Sequence, residues 1–253
     1  MPYKDQLSTT FYDKTFPKAL TTIKSSIRAA VSRNPRNAGL LIRLGCDASL
    51  LLEGEGSEKR SPANNGVLGY EIIDAAKAAV ERVCPGVVSC ANILAVAARD
   101  ASVTVKGPSW LVRLGRRDST TFNATQAASD LPRGDFNLSR LIDNFQQHNA
   151  LCLSEASVGS HTIGLARCVT FRARIYNNAS NIDAAFASSL RENCPPTSPD
   201  GNNNTRPLDL ITPNRFDNNY FRNLVRTMVK MSEIDLLTGD NGVIRTLCNT
   251  TAS

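Results

Sequence analysis

Residues 70–100 read YEIIDAAKAAVERVCPGVVSCANILAVAARD, and this stretch decides the class. Ile72, Ile73, Ala76, Ala79, Val80 and Val83 recur at the spacing of one helical face, which predicts an amphipathic helix over residues 70–83. Pro85-Gly86 stops it. Ser89 stands where a helix N-cap belongs, and the small apolar residues behind it predict a second, buried helix to about Val103.

The helical pattern continues outward in both directions. Pro17 opens a helix over residues 17–33, with Leu20, Ile23, Ile27 and Val31 on one face. A short apolar stretch over 38–44 ends at Gly45, and residues 53–69, rich in Gly, Ser, Pro and Asn, read as a loop. Beyond Gly107-Pro108, residues 110–118 alternate only in part and predict a short strand or an extended link. Helices are expected over 138–149 and 154–160, a polar loop over 195–207 (PPTSPDGNNNTRP), and a long final helix over 216–231. The class is mainly α, with little or no β. No internal repeat and no long linker interrupts the 253 residues, a length that suits one large domain or two small packed lobes.

Composition excludes several functions. The chain carries 29 Lys and Arg against 23 Asp and Glu, and the cations are scattered rather than massed, so nucleic acid is not the expected partner. No run of 18 apolar residues is present, so no membrane helix is expected. The start, MPYKDQLSTTFYDK, has no apolar stretch of the signal-peptide kind. The cysteines point to an oxidising compartment all the same. There are seven, none in a C-x-x-C pair, and only two histidines accompany them, which argues against zinc. Wide spacing reads better as long-range disulfides. Sequons at Asn123, Asn137, Asn178, Asn203 and Asn249 agree with secretion. The odd count leaves at least one thiol unpaired or paired with another molecule.

The two histidines differ. His148, in FQQHNA, lies on the polar side of its expected helix and reads as a surface residue. His161, in VGSHTIGLARC, sits among Gly159, Ser160 and Gly164, which would let a bulky planar group approach the backbone. That suits an axial ligand to haem iron. On spacing alone, a hydrogen-bonded core histidine is the stronger reading.

The segment around His161 resembles the proximal-haem signature of the plant secretory (class III) haem peroxidases. The likeness runs through QLSTTFYDKTFPKAL, GCDASLLL, SEKRSPANN, VCPGVVSCANILAVAARD, GPSWLVRLGRRDS, DLPRGDF, LDLITPNRFDNNYF and MVKMSEIDLLTGDNGVIRTLC, in family order. It implies one peroxidase domain over 1–253, with a distal lobe over about 1–135 and a proximal lobe over about 136–253, and haem b between them. It implies oxidation of small phenolic-type donors by hydrogen peroxide, a monomer, and a secreted or vacuolar location. By the same resemblance His161 is the iron ligand. Arg43 stabilises charge on the departing peroxide oxygen, Asn64 orients the distal histidine, and Pro132 edges the donor-access site. Thr162, Asp209, Thr212 and Asp217 match a proximal calcium site; Gly45, Asp47 and Ser49 match part of a distal one. Cys90–Cys248 and Cys168–Cys194 keep both disulfide partners.

The departures from the family bear on chemistry. After Arg43-Leu44 the family continues His-Phe-His-Asp-Cys-Phe, whereas here Gly45 follows at once. The distal histidine, a calcium aspartate and the partner of Cys46 are missing with that segment. The histidine is the general base toward peroxide, and such a group contributes on the order of 10² to 10⁴ in rate. Arg43 cannot accept the proton. A second gap follows Asn223-Leu224, where the family carries the carboxylate that accepts the proximal histidine's outer N–H. Phe16 replaces the partner of Cys84, and Cys152 is extra. A new Cys46–Cys84 bridge is one outcome. The expectation is a strongly impaired peroxidase; the alternatives are a non-catalytic haem-binding relative and a shortened product that does not fold stably.

Overall fold

The computed structural model describes residues 7–43, 48–64, 67–130, 136, 139–140, 143–144, 163–177, 182–197, 204–214 and 236–251. These residues are mainly helical. Helix α1 (Lys18–Arg33) buries Ala19, Ile23, Ile27, Ala30 and Val31, the expected stripe, and Pro17 precedes its first turn. Helix α2 is Asn37–Arg43, and α3 is Tyr70–Glu81, which turns Ile72, Ile73, Ala76 and Val80 inward. Helix α4 (Cys90–Thr104) is buried on most of its circumference and is the centre of the fold: α1, α2 and α3 all pack against it. Ala91, Ala97 and Ala101 let those neighbours come close. Each fully buried isoleucine, such as Ile23, Ile27, Ile73 or Ile93, contributes about 1.5–3 kcal/mol.

The turn between α3 and α4 is held by a buried lysine. Lys77 pairs with Glu81 and donates to the carbonyl of Val88 at 2.7 Å, while Glu81 Oε2 accepts the N–H of Gly86 at 2.7 Å. Ser89 caps α4 as expected: its Oγ accepts the N–H of Asn92 at 3.1 Å. Asn92 then ties α4 to its surroundings, donating to Tyr12 Oη at 2.8 Å and accepting the N–H groups of Gly115 and Arg116 at 3.2 Å.

Residues 110–118 form an extended link, joined to other segments by single bridges, Ser8 with Leu114, Arg116 with Thr238 and Asp118 with Val243. The end of the chain is thereby laid along it, and Cys90–Cys248 closes the arrangement with a Cα separation of 5.7 Å. A cross-link over 158 residues contributes about 4–5 kcal/mol in a chain-entropy account.

Two elements depart from the sequence reading. The segment 195–207 is not loop throughout: strand β2 (Thr205–Pro207) pairs antiparallel with β1 (Leu165–Arg167), Ala166 opposite Arg206. Strands of three residues are too short to show a period of two. Helices α5 (Ala124–Asp130), α6 (Cys168–Asn177) and α7 (Ala184–Arg191) complete the described set. The last two enclose a small second cluster, Cys168, Ile175, Leu190 and Cys194, around the Cys168–Cys194 disulfide. Of the helix expected over 138–149, residues 139–140 and 143–144 are described, and they are helical. The helices expected over 154–160 and 216–231 lie outside the described residues.

Candidate functional site

Arg43 is the last residue of α2, whose Leu41 and Ile42 are buried; its side chain lies outside the described set. The opposite end of α2 meets the stretch that follows His161 in sequence. Ile163 is buried in the main apolar cluster, and at Gly39 a Cβ would lie 3.6 Å from the Ile163 carbonyl oxygen. The chain after His161 is thus packed on the helix that carries Arg43.

Asn64 is held by Glu58. Ser57 starts a 3-10 turn, Glu58–Arg60, its Oγ accepting the N–H of Lys59 at 3.3 Å and donating to the Leu52 carbonyl at 2.6 Å. A second such turn, Pro62–Asn64, brings the Asn64 amide back so that Nδ2 donates to the Glu58 carbonyl at 3.0 Å. Asn64 is buried, and among the described residues its Oδ1 accepts no hydrogen bond. The Glu58 carboxylate reaches the other way: Oε2 accepts from Ser49 Oγ at 3.1 Å and Oε1 from the N–H of Asn123 at 3.2 Å. Glu58 therefore links two residues singled out from the sequence, Asn64 and Ser49. It was missed because its role rests on a carbonyl and a turn; the signal available was its place at the head of SEKRSPANN.

Asp209 and Thr212 are brought together in one turn. Asp209 Oδ1 accepts the N–H groups of Ile211 at 2.8 Å and Thr212 at 3.0 Å, and Thr212 Oγ1 lies 3.3 Å from Asp209 Oδ2. The N–H of Thr212, with that of Ile211, holds the Asp209 carboxyl below the usual carboxylate range. The turn is fastened to Gly164: the N–H of Leu208 donates to the Gly164 carbonyl at 3.0 Å, and the N–H of Gly164 to that of Pro213 at 3.4 Å. Gly164 has φ +115°, which a side chain would strain. Asp209 and Thr212 carry oxygens of the kind Ca²⁺ takes, and they are two of the four residues expected at the proximal site; Thr162 and Asp217 lie outside the described residues.

Gly45, Asp47, Pro132, His161, Thr162 and Asp217 lie outside the described residues, as do His148, Cys46 and Cys152. Both expected disulfides are formed, Cys90–Cys248 and Cys168–Cys194. Cys84 is a buried free thiol, so the Cys46–Cys84 bridge is not formed, and burial pushes its pKa up. No helix among the described residues is long and apolar enough to cross a membrane.

The chain is matched by a family model described as Peroxidase over residues 23–253. It is 57% identical to a basic peroxidase of Zinnia elegans over 290 aligned residues, 96% of this chain and 89% of the relative. It is 46% identical to a lignin-forming anionic peroxidase of Nicotiana sylvestris over 294 residues, 96% of this chain and 90% of that one. With Peroxidase 5 of Arabidopsis thaliana the identity is 42% over 297 residues, 96% and 92% of the two chains. All three aligned spans exceed the 253 residues present here. A mainly α fold, the two disulfides in their expected pairs and these matches together establish that the chain belongs to the class III plant peroxidase family.

Proposed function

We propose that the protein is a haem-binding peroxidase of the secretory plant type in which reaction with hydrogen peroxide is strongly slowed, because the histidine that would move the peroxide proton is missing from the sequence after Arg43-Leu44. The observation that carries this is Asn64. Its amide is still held on the Glu58 carbonyl, as a positioning residue requires, yet its Oδ1 accepts no hydrogen bond among the described residues, and LIRLGCDAS offers no histidine to fill the place. Aligned spans longer than the chain agree with internal gaps at Leu44–Gly45 and Leu224–Val225.

The donor type fits haem chemically: His161 offers an imidazole flanked in sequence by small residues, the kind of ligand haem iron takes. When bound, haem supplies the redox centre that lets peroxide be reduced at the expense of a small aromatic donor. His161 is the residue that would hold it. Arg43, permanently cationic, stabilises negative charge on the departing oxygen and cannot act as the base. Pro132 borders the donor. Thr162, Asp209, Thr212 and Asp217 hold the proximal calcium, and the fixed Asp209–Thr212 turn supports that set. On the distal side Gly45, Asp47 and Ser49 are a partial set, and Ser49 is engaged with Glu58. The domain runs over 1–253 with lobes over about 1–135 and 136–253; the apolar cluster around the Cys168–Cys194 bridge belongs to the second, while the main cluster, built from the first, also takes in Ile163 and Cys248. Disulfides and sequons support secretion and glycosylation.

The test restores what is missing. Inserting His-Phe-His-Asp-Cys-Phe between Leu44 and Gly45 raises peroxide-dependent oxidation of guaiacol by on the order of 10² to 10⁴ over the natural chain, both loaded with haem. A natural chain as fast as the insertion variant overturns the reading. If neither takes up haem, the non-folding alternative holds.

A further inference from the structure

Helix α4 ends in a Schellman turn. The N–H of Gly107 donates to the Ser102 carbonyl at 2.8 Å, and that of Lys106 to the Val103 carbonyl at 3.1 Å. Such a turn sends one residue into the left-handed region, a place glycine takes freely and a side chain takes under strain. Here that residue is Lys106, with φ +66°. Strain of this kind is kept where the side chain has a use, and Lys106 borders a cavity of about 290 Å³ between two helix ends. Helix α1 contributes Val31 and Ser32 to its wall, the next turn Pro35, α4 Thr104 and Val105, and the later chain Asn214.

The wall selects by shape and by charge. Its apolar part is Val31, Pro35 and Val105, all aliphatic and compact, which suits a short aliphatic body rather than a stacked ring. Its donors are the Lys106 ammonium, the Ser32 hydroxyl and the Asn214 amide; the Thr104 proton is already given to the Asp100 carbonyl at 2.7 Å. Helix C-termini ordinarily favour cations through their open carbonyls. These carbonyls are already answered. Ala29 accepts from Arg33 Nε at 3.3 Å, and Ala30 from the N–H of Asn34 at 3.2 Å and from Asn37 Nδ2 at 3.0 Å. The carbonyls of Ala101, Ser102 and Val103 accept the N–H groups of the turn that follows.

We propose that this cleft binds a short aliphatic monocarboxylate, its carboxylate on Lys106, Ser32 and Asn214 and its chain on Val31, Pro35 and Val105. One ammonium balances one carboxylate, whereas a phosphate dianion would bring a second charge that no cation of the wall answers. A cavity of this size is at the small end for ligand sites, which limits the chain to a few carbons. None of the residues assigned to haem, peroxide, donor or calcium lines the cleft, so binding there stands or falls separately from the proposed function.

The experiment titrates the full chain, with and without added haem, by calorimetry with hexanoate, hexanol and hexylamine. It also maps reductive methylation of the lysines by mass spectrometry. Hexanoate should bind with a Kd of about 1 mM or below, equally in both preparations, and hexanol and hexylamine about tenfold more weakly or worse. It should slow methylation of Lys106 and leave Lys18 and Lys24 unaffected. Lys106→Gly should weaken hexanoate about tenfold while raising the melting temperature, since glycine relieves the left-handed strain and the loss cannot then come from misfolding. Lys106→Arg should keep the affinity within about threefold. Unchanged affinity in Lys106→Gly, hexanol or hexylamine binding as tightly as hexanoate, unprotected Lys106, or no binding up to about 10 mM overturns the proposal.

Discussion

Arg245 donates its backbone N–H to Asp118 Oδ2 at 3.0 Å, and the two side chains are both fully buried. The same carboxylate accepts the N–H of Cys90 at 3.1 Å and of Ala91 at 2.8 Å. Together with Ser89 on Asn92, it satisfies three of the four N–H groups that the start of α4 leaves open. One buried carboxylate therefore caps the central helix and anchors the end of the chain beside the Cys90–Cys248 bridge.

Replacing Asp118 by Asn removes the charge opposite the Arg245 guanidinium, whose Nε is 3.7 Å away, and turns an N–H₂ group toward N–H donors. Breaking a buried pair on one side costs about 3–5 kcal/mol. Denaturant unfolding of Asp118→Asn should show a loss of that order; a loss within about 0.5 kcal/mol, the range of a surface substitution, contradicts the role given to Asp118.

Alkaline stability follows from two acids buried in their neutral form. Burial raises the pKa of Tyr12, and burial followed by the Glu81 charge raises that of Cys84. Because their folded values lie above the unfolded ones, the native state holds protons that the unfolded chain releases. The stability they contribute is complete below the ordinary values of about 8.5 and 10 and is lost as pH rises through the folded values. Unfolding free energy should fall steadily above about pH 9. Tyr12→Phe should make that fall shallower while costing about 1 kcal/mol at neutral pH for the lost Asn92–Tyr12 hydrogen bond. An unchanged slope in Tyr12→Phe would refute the account.

How much of this was legible follows from where each feature's partners lie. Helices α1, α3 and α4 were readable because Ile23 and Ile27, or Ile73 and Val80, repeat locally with the helical period. The β1–β2 pair was not, because three residues pair with three others across a long stretch of chain. Asp118 was missed for the same reason: its donors are 27, 28 and 127 residues away. Of the site, the Asp209–Thr212 turn and both disulfides were reached through family likeness, since neither a ligand set nor a pairing can be deduced from spacing. His161 was singled out by the family likeness as well, since its small neighbours alone leave a core histidine as the stronger reading, and it lies outside the described residues.

The proximal calcium site proposed above makes a prediction at the Asp209–Thr212 turn. Asp209→Ala should lower bound calcium by about one equivalent, since four-ligand sets of this kind lose most affinity with a charged ligand. It should also lower the melting temperature in calcium, and less so after chelation. The pH sign is set by the depressed carboxyl: the folded value lies below the unfolded one, so Asp209's contribution is present above the ordinary carboxylate range and lost as pH falls through the folded value. A melting temperature equally lowered with and without calcium would make the turn purely structural.

The sequons differ in what their asparagines are doing, and occupancy should differ with it. Asn123 is exposed; its Oδ1 accepts the N–H of Gln126 at 3.0 Å, and its backbone N–H is fixed on Glu58. That leaves Nδ2, the atom that bonds a glycan, facing solvent, and a glycosylated Asn123 keeps its cap because Oδ1 is unchanged. Asn249 is half-buried, follows the bridged Cys248, and its carbonyl accepts the N–H of Glu53 at 3.0 Å. In chain secreted from plant cells, glycopeptide mass mapping should find Asn123 mostly occupied and Asn249 mostly bare. Thr125→Ala should remove the Asn123 glycan without unfolding the protein. A secreted chain with Asn249 occupied and Asn123 bare would show that solvent access in the folded state does not govern the choice.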